Sequence, residues 1–314
     1  MPLNLSALSG VRDGLPKAEL EIGFGNGEFT AQYAAARPDT LLIGLEVSPA
    51  CIERCVRRMK ESSSNLKLIC ADARFMMKEL FADASLDRVF MNFPCPWPKT
   101  RHARRRVTAG DFADSLAAVL KTGGVFEMVT DVDWYAADAR KALGEHEALS
   151  AAECETNPAR AVTTKYERKW LEMGKNITRL LVTKTKPFTV ERQTWRFYGE
   201  SGKEGVEEGM HVRTGKPLPD GGLGFLVGVS GAWREARWIF KKYYTAGSDA
   251  DRAYLVETVS ADDGFEQRYY LKAVGDANAL VKLDGTSRVY LTPSVRRAIE
   301  DLACRLSEHA EHVK

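Results

Sequence analysis

Short apolar runs separated by amphipathic stretches set the pattern of the first half of the chain. Apolar runs at 18–23, 41–46, 66–71, 86–92 and 125–130 have the length and bounding turns of buried strands. Between them lie helical patterns at 28–36, 48–60, 111–120 and 132–143. Ser48 and Pro49 open the second of these as N-cap and first helical residue, and Thr122-Gly123-Gly124 breaks the third. Strands alternating with helices predict βαβ units and a parallel, Rossmann-like α/β sheet with flanking helices. In such sheets the ligand crevice lies beyond the strand C-termini. Glu46, Asp72, Asn92, Cys95 and Asp131 all fall there.

The pattern changes after Lys186. Pro and Gly punctuate the chain, and strands are expected at 194–198, 223–229, 233–244, 254–259, 267–274, 279–283 and 288–291. Thr292-Pro293 then opens a helix with Val295, Ile299, Leu302 and Leu306 on one face. The organisation expected is a short leader at 1–17, an α/β domain at 18–186, and a smaller β-rich domain closed by a helix at 187–314. In the aromatic run Trp233, Trp238, Phe240, Tyr243 and Tyr244, packing is the leading reading and RNA stacking the other.

Composition narrows the function classes. The 314 residues are 44% hydrophobic and 28% charged, with a net charge of +2, so a nucleic-acid footprint must be local. No apolar run is long enough to span a bilayer, and the N-terminus lacks the pattern of a secretion signal. Six scattered cysteines form no Cys-x-x-Cys pair, which argues against a metal site and for a reducing cytoplasm.

Glu21-Ile22-Gly23-Phe24-Gly25-Asn26-Gly27 joins the first strand to the first helix. Its G-x-G-x-G spacing is not that of a dinucleotide binder, and no phosphate loop occurs. Glu46, about 20 residues on, suits ribose hydroxyls, and Asp72 suits an adenine amino group. The set fits S-adenosylmethionine, which has no phosphates to cradle. Downstream, Asn92-Phe93-Pro94-Cys95-Pro96-Trp97-Pro98 ends at Lys99, Arg101, Arg104, Arg105 and Arg106. A stiff aromatic loop beside dense positive charge suits a base held while its phosphates are gripped. A second basic stretch holds Arg160, Lys165, Arg168, Lys169, Lys175, Arg179, Lys184 and Lys186.

These motifs resemble the bacterial tRNA (guanine-N7)-methyltransferase family across about residues 18–185. The matching pieces are E-I-G-F-G-N-G, G-L-E-V, A-D-A, F-P-x-P-W-P-K-x-R-H-x-x-R-R, T-D, and T-K-Y-E at 164–167. The resemblance implies a class I methyltransferase fold and methyl transfer to N7 of a variable-loop guanine in tRNA. S-adenosylhomocysteine would be the product, with no metal and no membrane partner, in a cytoplasmic monomer or homodimer. By resemblance Glu21, Glu46 and Asp72 bind the cofactor; Gly23, Gly25 and Gly27 of the loop, with Ala73 and Asn92 at the strand ends, complete the candidate cofactor set. By resemblance Lys99, Asp131, Thr164 and Glu167 match substrate positions, with Tyr166 in the same motif; the basic run adds Arg101, Arg104, Arg105 and Arg106 as RNA contacts, and Cys95 and Asp131 are the candidate catalytic positions.

One position departs from the family. Its F-P-D-P-W motif carries an aspartate where this chain has Cys95. A thiol is a poor acceptor and cannot take two N–H bonds from a guanine edge. Three readings follow: another carboxylate, Asp131 or Glu167, covers the role; the substrate differs; or catalysis is lost. Asn92-Phe93-Pro94 also has a likeness to the Asn-Pro-Pro-aromatic turn of amino-group methyltransferases. That rival leaves the basic run and T-K-Y-E without a role.

Overall fold

The structure, a computed structural model, describes residues 2–9, 17–59, 64–100, 103, 106, 108–160, 162–192, 211–246, 252–262, 265–275, 277–287 and 289–312. Arg101, Arg104, Arg105 and the strand expected at 194–198 lie outside the described residues. Two compact units divide the chain, at 1–192 and 193–314.

In the first unit β1 (Ala18–Ile22), β2 (Leu41–Glu46), β3 (Leu66–Cys70), β4 (Leu86–Asn92) and β5 (Leu120–Thr130) form the expected parallel core. The strand order is β3-β2-β1-β4-β5-β8-β6. Two strands beyond β5 extend the sequence reading: β6 (Leu149–Ala151) and β8 (Thr178–Lys184). A two-residue β7 (Glu155–Thr156) also pairs with β8. β8 runs antiparallel to β5, so the sheet is mixed rather than all parallel. Registers pair Ile22 with Leu45, Glu46 with Cys70, and Asn92 with Val129. The strand C-termini therefore end level, and the order reverses between β1 and β4, the switch point at which sheets of this kind bind their ligands.

Helices α2 (Glu28–Ala36), α3 (Pro49–Arg58), α5 (Phe112–Val119) and α6 (Asp133–Gly144) match their patterns to within a few residues. Three helices were not foreseen: α1 (Leu5–Ser9), inside the leader, α4 (Ala73–Leu80) and α7 (Lys165–Glu172). α2 buries Phe29 and Tyr33 against Phe90, with ring centroids 4.9–5.2 Å apart. Near the end of this unit Arg192 donates to the carbonyls of Lys78 and Phe81 at 2.6 and 3.0 Å and to Asp83 at 2.5 Å.

The second unit is an antiparallel sheet in the order β10-β11-β12-β13-β14-β9. Its strands are β9 (His211–Arg213), β10 (Ser230–Trp233), β11 (Ala236–Ala246), β12 (Ala253–Asp262), β13 (Phe265–Val274) and β14 (Leu280–Leu283). The strand expected at 223–229 is instead a 3-10 turn at Gly224–Leu226. Leu223 and Leu226, one turn apart, are both buried, and the flanking glycines at 222 and 228 take φ of 80° and 83°. The run expected at 233–244 folds back at Arg234, φ 52°, so its first residue closes one strand and the rest form the next. No described residue of 289–291 is in a strand.

A long helix, α8 (Pro293–His312), lays Val295, Ile299, Leu302 and Leu306 on one sheet face against Trp238, Phe240, Tyr269 and Leu271. Trp238 Nε1 donates to Asp301 at 2.7 Å, bolting helix to strand. Leu302→Ala is expected to cost about 2–5 kcal/mol by opening a cavity in this core. Urea unfolding followed by tryptophan fluorescence checks it.

Candidate functional site

The glycine loop closes tightly between β1 and α2. Gly23 N–H donates to Leu45 O at 2.7 Å, and Gly27 N–H to Phe24 O at 2.9 Å. A Cβ on Gly27 would meet Cys55 Sγ at 2.2 Å, so α3 packs directly on the loop there. Gly25 is different: a Cβ would have nothing within 4 Å. Its backbone faces open space, as one that meets a ligand must.

Two strand-end acids already hold backbone donors. Glu46 accepts Gly25 N–H at 2.9 Å on Oε2 and Ser48 N–H at 3.0 Å on Oε1. Each oxygen keeps acceptor capacity for a hydroxyl. Asp72 caps α4 by accepting Arg74 N–H at 3.0 Å, and the Arg74 guanidinium also closes on it at 2.5 Å. Ala73 is buried at the first position of that helix.

Behind the loop lies a buried polar chain. Glu21, 2% exposed, accepts Thr30 Oγ1–H at 2.5 Å and Asn92 Nδ2–H at 3.0 Å. Asn92 Oδ1 in turn accepts Arg160 Nη2–H at 2.6 Å. Arg160 donates through Nη1 to Glu167 at 2.8 Å and lies 3.4 Å from Glu127, over the Phe29 ring. Its side chain is only 3% exposed. The sequence places Arg160 among RNA-facing cations; the structure turns it inward as the hub of this chain. Nothing local announces that, because Asn92 is 68 residues away in sequence.

T-K-Y-E is a capping box. Thr164 Oγ1 accepts Glu167 N–H at 3.1 Å, and Glu167 Oε2 accepts Thr164 N–H at 3.3 Å. Thr164 and Glu167 are buried, while Tyr166 is 60% exposed. Tyr166, Asn26, Glu28, Arg58, Arg168 and Lys169 line a cleft of about 410 Å³.

The aromatic loop after β4 is held in unusual backbone geometry. Phe93 and Trp97 take φ of 51° and 43°, a region that bulky residues rarely occupy. Arg106 holds the loop: it donates to Pro96 O at 3.1 Å and Trp97 O at 3.4 Å, pairs with Asp138 at 3.1 Å, and lies over the Trp134 ring. This cation, expected to meet RNA, is a staple. Cys95 and Lys99 are exposed. Asp131 is half-buried just past β5, and among the described residues it makes no hydrogen bond or ion pair that the geometry supports.

Other members of the second basic stretch are also engaged. Lys184 is buried, donates to Leu120 O at 2.7 Å, and has its pKa lowered by burial. Arg179 pairs with Glu155, Lys186 with Glu147, and Lys175 sits 3.7 Å from the Trp170 ring centroid.

Burial pushes the Glu21 carboxyl up to about 7 from 4.5, although Thr30, Asn92 and Arg160 all favour its charged form. Folding therefore takes up a proton between those values, and stability falls as pH rises from about 4.5 to 7. Glu21→Gln should flatten stability across that window, as read by urea unfolding at several pH values. Arg160→Met leaves Glu127 and Glu167 without their buried counter-charge, and should cost about 3–5 kcal/mol in the same measurement.

A family model described as a putative methyltransferase matches residues 17–180. A tRNA (guanine-N(7)-)-methyltransferase of Thermotoga maritima is 36% identical over 315 residues, spanning 97% of this chain and 94% of that protein. A tRNA (guanine-N(7)-)-methyltransferase of Aquifex aeolicus is 28% identical, spanning 93% of this chain and 95% of its own. A solved 16S rRNA methyltransferase, KamB, aligns with a TM-score of 0.44 and 15% identity over 59% of this chain and 95% of that one. With a model matched over half its length and a relative matched almost end to end, this chain belongs to the tRNA (guanine-N7)-methyltransferase family.

Proposed function

We propose that this chain transfers a methyl group from S-adenosylmethionine to N7 of guanine 46 in the variable loop of tRNA, releasing S-adenosylhomocysteine. One observation carries the reading. The glycine loop, the strand-end acids and the Pro-Trp loop meet at one sheet edge, in a chain matched almost end to end by a tRNA (guanine-N(7)-)-methyltransferase.

The residues present fit the cofactor. Gly25 leaves its backbone open, and Glu46 keeps free lone pairs for ribose hydroxyls. Asp72 and Ala73 border the adenine side, with Arg74 yielding part of its hold on Asp72. Gly23, Gly27 and Asn92 shape the remaining wall. Glu21 sits behind that wall, and a cationic ligand in front of it would draw its proton off. When bound, the cofactor supplies an electrophilic methyl on a sulfonium. Displacement at a sulfonium methyl by a ring nitrogen calls for no metal.

Guanine N7 carries an in-plane lone pair and no proton, so no base has to act first. The protein's part is alignment and exclusion of water. The product base is cationic, which calls for a nearby carboxylate. Cys95 does not supply one. Glu167 is committed to Arg160 and to its own helix cap. Asp131 is uncommitted and follows β5, whose Val129 pairs with Asn92 just before the Cys95 loop. Asp131 therefore takes the carboxylate role. Lys99, exposed in the loop after β4, reaches the substrate, and Tyr166 offers a ring for stacking. Thr164 holds the α7 cap, and Arg106 stiffens the loop from behind. Arg101, Arg104 and Arg105 keep their expected role as RNA contacts.

The enzyme acts in the cytoplasm as a monomer or homodimer. No described helix is long and apolar enough to cross a membrane.

The test is transfer of labelled methyl to tRNA lacking the N7 mark, followed by nucleoside identification. N7-methylguanosine is expected; methyladenosine would overturn the assignment. Asp131→Asn should lower kcat/KM about ten- to a hundredfold, the loss of a charged hydrogen bond. Cys95→Asp should change it less than about tenfold. An inert natural protein awakened by Cys95→Asp would mark an impaired homologue instead.

A further inference from the structure

The second unit has a sheet face that its own core does not use. On β13 burial alternates residue by residue, and on β12 it does so except at Ala253 and Glu257, which are buried on the outer side. Tyr254, Val256, Tyr269 and Leu271 point to α8, so their neighbours point away from it. The register carries this outer face across the whole sheet. Arg237 opposes Ala261, Lys242 opposes Glu257, and Tyr244 opposes Leu255. Lys272 opposes both Leu255 and Lys282, Tyr270 opposes Glu257, and Arg213 opposes Leu280.

The outer face therefore gathers six cations, Arg213, Arg237, Lys242, Arg268, Lys272 and Lys282, against two acids, Glu257 and Glu266. The domain is nearly neutral as a whole, so this positive charge is segregated rather than spread. Arg268 is matched by Glu257 at 3.3 Å. None of the other five makes an ion pair among the described residues. Asp284, in the turn after β14, feels Lys272 and Lys282, but its carboxylate is taken up by Thr286. Amid these cations Tyr244 and Tyr270 stand edge to face, with centroids 6.2 Å apart. Tyr244 is exposed and Tyr270 half-buried.

An excess of cations around tyrosine rings on an open sheet matches a ligand with both negative charge and flat apolar surfaces. An acidic protein would use the charge and leave the rings idle. RNA uses both, through phosphates and unstacked bases. We propose that this outer sheet face of the second unit is a tRNA-binding platform. It rests on the tRNA reading above, and it gives the tail a part in holding the substrate. The aromatic run read from sequence thus divides by register: Trp238 and Phe240 fill the core, and Tyr244 serves the platform.

The test uses the full-length chain and tRNA binding across salt concentrations. Lys242→Glu, Lys272→Glu and Lys282→Glu combined should weaken binding at least about tenfold near physiological salt. The same change should lower the slope of log K against log salt by about 2–3, the loss of three phosphate contacts. Tyr244→Leu with Tyr270→Leu should weaken binding several-fold at an unchanged slope. Unchanged affinity and slope in the lysine variant overturn the platform. A second measurement needs no variant. tRNA should protect Lys242, Lys272 and Lys282 of the natural protein from acetylation, and polyglutamate should not. Lysines left unprotected by tRNA, or protected equally by polyglutamate, also overturn it. The function reading fails separately. tRNA that binds and protects these lysines but receives no N7 methyl leaves the platform standing, whereas methylation with indifferent lysine variants removes only the platform.

Discussion

The interaction on which the methyltransferase unit depends is the buried guanidinium of Arg160. It joins β4 through Asn92, β5 through Glu127 and α7 through Glu167. A buried charge is tolerated only when paired and hydrogen-bonded. Here the pairing is shared among three elements, so each of them is held in place by the same group. Asn92 passes the contact on to Glu21, at the start of the glycine loop. The glycine loop and the helix carrying T-K-Y-E are thus two ends of one hydrogen-bonded chain.

That coupling bears on which carboxylate is free to act in place of the aspartate absent at position 95. A carboxylate inside the Arg160 network, such as Glu167, cannot be released without stranding a charge. Asp131 lies outside the network and carries no such constraint. The Cys95 loop itself is stiffened by three prolines and held from behind by Arg106. Positive φ at Phe93 and Trp97 is a local cost that this support sustains. The loop's shape therefore does not rest on the side chain at position 95.

The two units solve the same problem of charge in different ways. In the first, several cations of the basic stretch turn inward or pair with acids, as Lys184 and Arg179 do. In the second, strand alternation sends apolar side chains to α8 and leaves cations on the other face. A nearly neutral composition hides that separation. Only the register reveals it, because residues brought side by side come from five strands.

The sequence by itself determined the βα alternation, the level row of acids at the strand ends, the glycine loop and the family. Each is a local pattern: periodicity follows from side-chain direction along a strand or helix, and the motifs are contiguous. It misjudged segments where glycine overrides a weak apolar pattern, as at 223–229, and missed the short helices α4 and α7 and the antiparallel β8. Only the tertiary structure decided which cations serve the fold. Arg160, Lys184 and Arg106 are alike in sequence to exposed cations such as Lys99. Their roles come from partners that folding supplies, up to 68 residues away. A side chain's charge is written in the sequence, whereas its burial and its partners exist only once distant segments meet.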